Sequence, residues 1–407
     1  MSAPSWGRRL LRTCAALLPL VGTAAYGGSA HAAGLAGPDA RDVVLVGNSQ
    51  SGTVSFLDAR TFANLGTFDV IPDLQQRLDQ MDLIQRTGYA IVKQVEGGDR
   101  FVDDVALSPD GRTMYVSRGN LDDTVAYDLA THRQLWRTRL DGFHADHAAL
   151  SPDGTRWVVS ATTANEAQVL DTATGAVVGS FPTGSYPHQN DFTPDGKYVY
   201  NSSIGVVSMP QALEFLKGSF QLTKVDAATL KVVKTWSFPH GIRPNVLAAD
   251  GTTFYTQESY LNGFVRYDLD SARTTATVTM PFSPAGHALA PDSYPKNSAH
   301  HGLALSGDQS LLCDVGTIDD YTAVVSTADL STVGRVDYPT GSLPYWAVAG
   351  GQGGRYCFVS LSQADQVSVV DLGTAREVAR VPVGVFPQRE RLAQLPQSVL
   401  DSLSAQG

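Results

Sequence analysis

The stretch "SPDGRTMYVS", Ser108–Ser117, decides the fold because it recurs. "SPDGTRWVVS" follows at Ser151–Ser160 and "TPDGKYVYNS" at Thr193–Ser202. Pro presets φ, Asp-Gly accepts the reversal, and the residues behind the turn suit a short strand. Weaker copies of the turn stand at Ala248–Gly251 ("AADG"), Ser306–Gln309 ("SGDQ") and Gly350–Gly354 ("GGQGG"), each ahead of another short strand. A third strand closes each unit, usually at an aspartate that opens a turn: Asp58, Asp128, Asp171, Asp226, Asp268 and Asp371, with Ser326 in the remaining copy. A fourth strand alternates, as "GAVVGSFPTG" does from Gly175. The plain units repeat every 42 or 43 residues, and the longer intervals contain insertions.

Four short strands per unit, repeated about seven times, predict an all-β chain folded as a single seven-bladed β-propeller with four antiparallel strands per blade. The ends agree. "DVVLVGNS" (Asp42–Ser49) matches the second strand of a unit, so the first blade lacks its innermost strand. The tail "GVFPQRERLAQL" from Gly384 begins as "GSYPHQNDF" from Gly184 does, so a C-terminal strand is expected to complete the first blade. Closing the ring this way leaves few exposed edges. The unit "SPDG…YVS…VxxxDxxTG…xVPVG" resembles the YVTN-type repeat over roughly residues 43–390. That superfamily also includes the large subunit of bacterial amine dehydrogenases and the lactonase-like propellers. The resemblance implies the fold and leaves the chemistry open, because this fold hosts many activities.

Composition narrows the class. With 43% hydrophobic and 17% charged residues, 38 Gly and 21 Pro, the chain fits a strand- and turn-rich globular protein and neither a disordered chain nor a coiled coil. Residues 1–32 read as a signal peptide: Arg8, Arg9 and Arg12, then an apolar run, then Ala30-His31-Ala32 as a small-x-small cleavage site. The propeller is therefore expected over 33–407, exported to the periplasm or beyond, with twin-arginine and general secretion both open. Processing removes three of the 30 basic residues and none of the 40 acidic ones, making the net charge more negative than −10. Such a surface disfavours nucleic acid and anionic membranes, and no other stretch is apolar enough to span a bilayer. The expected partner is a small molecule or a protein. Cys14 leaves with the leader, while Cys313 and Cys357 align at one height in neighbouring blades, one residue out of phase. A disulfide and two buried thiols both fit that placement.

A Gly-x-x-Pro-x segment precedes the innermost strand in four units, ending at His188, Asn245, Tyr345 and Gln388. Aligning the remaining units by their turns adds Asp103, Asp146 and His301, which predicts seven polar residues around the axial opening. Three insertions fall on the same face: about 72–98, helical by the spacing of Leu74, Leu78, Met81, Leu83 and Ile84; Met209–Gly218; and Gly286–Gly302. They predict a lidded mouth.

Imidazole with carboxylate suits zinc, manganese or iron, so His188, His301, Asp146 and Asp103 are the expected ligands of a divalent metal. His188, His301 and Asp146 are also the catalytic candidates. Asp103, His144, His147, Asn245, His300, Tyr345 and Gln388 are the candidates for binding a ligand. His147 and Asp191 are expected to pleat away from the channel toward neighbouring blades. Metal-free acid–base chemistry by a His–Asp pair, and a hydrated structural channel, compete with the metal reading. No GxSxG, phosphate loop, dinucleotide fingerprint or haem-attachment motif occurs, so no other cofactor is indicated. The functional expectation is a mouth that binds a small polar ligand and a divalent metal, as a metal-dependent hydrolase or lyase does. The alternatives are a non-catalytic YVTN-type binding propeller and, as the resemblance implies, the large subunit of an amine dehydrogenase-like oxidoreductase.

Overall fold

In the computed structural model, the structure describes residue 1 and residues 40–404; the expected signal peptide with its cleavage site and Cys14 lies outside the described residues. The recurring turn does what its residues require. Gly111, Gly154, Gly196 and Gly251 adopt φ of 69° to 73°, a region open to glycine. Ser108 Oγ donates to Asp110 Oδ1 at 2.6 Å and accepts from the Thr113 amide at 2.9 Å. Ser151, Thr193 and Ser306 repeat this clamp. The aspartates that end the third strands accept amide hydrogen bonds from the turns they open, as Asp58 does from Arg60 and Thr61.

These hairpins assemble into seven four-stranded antiparallel sheets. Blade 1 comprises 41–69 with the C-terminal strand Pro387–Leu395, which pairs with Arg41–Asn48 and closes the ring as expected. Blades 2 to 7 span 104–139, 145–182, 187–237, 242–279, 300–337 and 344–382. A final helix, Gln397–Ser404, seals the joint by placing Val399, Leu400 and Leu403 in the core between blades 1 and 2. The outermost strands are largely exposed, and in blades 1, 3 and 4 each buries one aromatic residue. Phe68, Phe181 and Trp236 turn inward while Val177, Val178 and Val233 face out. Each buried aromatic contributes roughly 1.5–3 kcal/mol. Cys313 and Cys357 form a disulfide that joins blades 6 and 7. Among the described residues no helix is long and apolar enough to cross a membrane.

The first insertion carries two helices, Leu74–Asp79 and Leu83–Glu96. The longer one starts on a capping box, with Asp82 accepting from the Gln85 amide and Gln85 reaching back to the Asp82 amide. It stops at Gly97, whose φ of 70° provides the left-handed cap. Leu74, Leu78 and Met81 pack with Phe101 and Leu121, and this seats the insertion on blade 2.

Candidate metal and ligand site in the channel mouth

Where the chain enters its innermost strands, the register shifts in six blades: at Ala145/Ala148, Pro187/Asn190, Ile242/Asn245, His300/Leu303 and Pro344/Ala347, and in blade 1 opposite Gly47/Asn48. A bulge inserts an extra residue and re-aims the side chains around it. The first tier at the mouth is accordingly Asp103, Asp146, His188, Arg243, His301, Tyr345 and Gln388. The next residues along, including Asp104, His147, Trp346 and Arg389, form a second tier beneath.

This arrangement departs from the sequence expectation in three places. Asn245 is not at the mouth. It pairs with Thr256, two residues further along the strand, and lines a cavity on the opposite face. The reason is register: Gly241 stands where blade 4 has Tyr186, so its Gly-x-x-Pro segment sits two residues out of step, and Arg243 takes the mouth position. His300 is turned into its own blade, with Nδ1 3.0 Å from Asp314 Oδ1 and Nε2 2.9 Å from the Tyr321 hydroxyl. His147 does not pleat away, because the bulge at Ala145/Ala148 brings it against His188. Asp191 lines the opposite cavity with Asn245.

His147 Nδ1 donates to the Asp103 carbonyl at 2.9 Å, and His301 Nδ1 donates to the Tyr345 carbonyl at 3.0 Å. A carbonyl only accepts, so in each neutral ring Nε2 holds the free lone pair. His147 Nε2 lies 3.0 Å from His188 Nε2 and 3.7 Å from Asp146 Oδ1. His144 Nε2 stands 3.9 Å from both Asp103 Oδ2 and Asp146 Oδ1. Two metal-sized groups result, Asp146–His147–His188 and Asp103–His144–Asp146, sharing Asp146. His301 stacks on Tyr345 at 3.9 Å and stands beside His188. Gly119 makes room for the Asp103 carboxylate, since a Cβ there would fall 1.7 Å from Asp103 Oδ2.

Burial dominates the electrostatics. It pushes His301 down to about 3 and His144 down to about 4, and holds His147 and His188 well below the usual imidazole range. Burial, then the charge of Glu96, raises Asp146 to about 7; burial, then Asp146, raises Asp103 well above the carboxylate range. Burial, the largest single influence, would raise Glu96 too, but the charges of Lys296, His144 and Arg100 with a hydrogen bond from Lys296 together outweigh it and hold Glu96 at about 2. Among the described residues, Asp103 Oδ2, His144 Nδ1, His188 Nδ1, Gln388 Oε1 and Arg243 Nε and Nη1 are buried without a hydrogen-bond partner. Such orphans are few in native proteins and call for an explanation.

These atoms border a cavity of about 500 Å³. Its wall is the Leu83–Glu96 helix, which contributes Ile84, Gly88, Ile91 and Val95. The insertions clasp one another above it. Lys296 pairs with Glu96, Asn297 Nδ2 donates to the Val207 carbonyl at 3.0 Å, and the Gln211 amide donates to Asp292 at 2.6 Å. Within the second tier, Asp104 is held between Arg389 at 2.8 Å and Arg391 at 2.7 Å, and the Arg389 guanidinium lies 3.5 Å from the Trp346 ring centre. This charged plug stands between the mouth and a smaller cavity of about 200 Å³ on the opposite face.

No protein-family model matches this chain, and no curated protein matches it in sequence. Solved structures do share its fold. Hydrazine synthase of Kuenenia stuttgartiensis is 17% identical with a TM-score of 0.56, over 70% of this chain and 88% of that one. Dihydro-heme d1 dehydrogenase NirN, solved in complex with DHE, is 14% identical with a TM-score of 0.56, over 89% of this chain and 76% of that one. At these identities the likeness is one of fold.

Sequence reasoning missed Arg243, Glu96 and Lys296. Arg243 had a usable signal: every mouth residue of blades 2 to 7 stands five positions before the first residue of its turn, and Ala248 counts back to Arg243. Glu96 and Lys296 lie on separate insertions, and no local pattern joins them.

Proposed function

We propose that the mouth holds a divalent cation between His147 Nε2, His188 Nε2 and the Asp146 carboxylate, in an exported enzyme of the hydrolase or lyase type. The observation that carries this reading is the orientation of His147. Its Nδ1 is committed to a carbonyl and its Nε2 faces a second imidazole nitrogen at 3.0 Å with a carboxylate beside it. Metal-binding histidines are typically fixed by such an outer hydrogen bond. His147 thus takes the place that the sequence alone gave to His301 and Asp103, which stand around the ion as ligand-facing groups.

A divalent cation there supplies Lewis acidity, polarising a ligand oxygen and lowering the pKa of bound water. The chain's own groups do the rest. Asp103 and His144 stand where a proton can be taken from or returned to a ligand in the cavity, Tyr345 holds His301 in place, and the clasped insertions limit access of water. The repeat unit supports placing the chain among YVTN-type propellers, and the names of the hydrazine synthase and the NirN dehydrogenase belong to enzymes with this fold. The Cys313–Cys357 disulfide supports export, since such bonds persist in oxidising compartments.

Elemental analysis of protein purified without chelators tests the reading. About one equivalent of zinc, manganese or iron is expected, with its loss in His147→Ala and in His188→Ala. Protein that is metal-free as isolated and takes up none of these ions on titration overturns it.

A further inference from the structure

The first tier is polarised. Both carboxylates, Asp103 and Asp146, come from blades 2 and 3, whereas blades 4 to 7 contribute His188, Arg243, His301 and Tyr345. Arg243 is 1% exposed, and it lines the cavity. Its Nη2 donates to the neutral hydroxyl of Ser259 at 3.0 Å, while Nε and Nη1 have no partner among the described residues. Other buried arginines of this chain are neutralised directly. Arg77 and Arg118 meet Asp123, and Arg391 meets Asp104. Only weaker influences reach Arg243, from Tyr345, Tyr260, Glu214 and Asp146. A buried guanidinium without a counter-ion is costly, and its planar fork matches a carboxylate or phosphate group.

The opposite wall has the reverse chemistry. Leu83, Ile84, Ile91, Val92 and Val95 all line the cavity, and Leu83 and Ile84 are 80% and 72% exposed. Such apolar surface is stabilised when a ligand covers it. We infer that the mouth binds an amphipathic anion, its carboxylate or phosphate head on Arg243 and its apolar body along the Leu83–Glu96 helix. This deepens the reading of the mouth as a ligand site and does not require the metal. It also replaces the small polar ligand expected from sequence with a class that has an apolar body.

Calorimetric titration of the intact mature protein with decanoate, decyl phosphate, decanol and decyltrimethylammonium tests it, before and after dialysis against EDTA. Decanoate, decyl phosphate or both should bind, and the tighter of the two names the head group. Decanol and the cationic amphiphile should bind at least about tenfold more weakly. Arg243→Gln should weaken the anion by about tenfold or more, Arg243→Lys by less, and Ile84→Ser with Ile91→Ser should weaken it independently of charge. A thermal melt of each variant establishes that it is folded. Equal binding of decanol and decanoate, failure of both anions to bind the folded parent, or anion binding indifferent to Arg243→Gln overturns the proposal. Binding that is indifferent to Arg243→Gln and vanishes with EDTA does so while sparing the metal site. Arg243-dependent binding to a protein that takes up no metal leaves this inference standing and ends the metal reading.

Discussion

Two clusters of buried polar groups lie under the same lid, and they are built in opposite ways. At its base, Arg118 donates to Asp123 at 2.7 Å and 2.9 Å, to Asp73 at 2.5 Å and to the Val70 carbonyl at 3.1 Å. Arg77 adds a bond to Asp123 at 2.9 Å and another to the Leu121 carbonyl at 2.9 Å. Every charge there meets an opposite one. At the mouth, His188, His144, Asp103, Gln388 and Arg243 each keep a buried atom with no partner among the described residues. Burial makes unpaired polar groups costly, so a protein retains them where something other than the fold completes them. The base ties the lid to blade 2; the mouth leaves unpartnered polar atoms beside the cavity.

The comparison breaks most sharply at the base. Asp123→Ala strips the carboxylate shared by Arg77 and Arg118 and leaves two buried guanidiniums undercompensated. A loss of about 3–5 kcal/mol in urea unfolding is expected. A loss below about 1 kcal/mol would mean that the base is as loosely paired as the mouth.

The clasp between the insertions gives a pH-dependent contrast. Glu96 is held at about 2, below its ordinary 4.5, with Lys296 as the main opposing charge. Its contribution is fully present above pH 4.5 and is lost as pH falls toward and through 2, to a limit of about 3 kcal/mol. Lys296→Met should therefore be less stable than the parent at neutral pH, and the gap should narrow between pH 4.5 and 3. A gap independent of pH would remove the pair from the account.

A steric test asks how tightly the lid is seated. A Cβ on Gly88 would lie 2.2 Å from Phe143 Cε1. Alanine gains helix propensity of about 1 kcal/mol, while overpacking against a rigid ring costs about 1–3 kcal/mol. Gly88→Ala is expected to destabilise the parent by roughly 1 kcal/mol and to stabilise a Phe143→Ala background. The same sign in both backgrounds would show that the helix does not rest on Phe143.

The base and the mouth also differ in how far sequence could reveal them. The blades were legible because each turn is local: Ser108, Asp110 and Gly111 bond within a few residues, and their pattern recurs along the chain. The closing strand was legible by the same repetition. Six of the seven mouth positions followed from counting along that repeat, and Arg243 was lost only because Gly241 and Pro244 imitate the Gly-x-x-Pro spacing two residues out of step. His147 was misplaced for a different reason. Strand alternation points it away from the channel, and the bulge at Ala145/Ala148 that reverses this leaves no mark in residue type. Contacts between insertions, such as Lys296 with Glu96, depend on chain paths that periodicity does not encode.

The smallest stability effect is expected at the mouth itself, where it separates a binding site from a structural plug. His188 is 5% exposed, its Nε2 meets His147 Nε2, and its Nδ1 has no partner among the described residues. In His188→Ala the deleted ring removes one orphaned atom and frees another, His147 Nε2, which faces a cavity large enough to admit water. Losing one satisfied buried bond without replacement would cost about 1–3 kcal/mol, whereas water at the vacated position offsets most of that. Thermal melts of parent and variant, both freed of metal with EDTA so that no bound ion stabilises either, should thus agree to within about 1 kcal/mol, while Asp123→Ala falls far below both. If His188→Ala instead falls as far as Asp123→Ala, the two clusters are alike and the mouth histidines serve the fold.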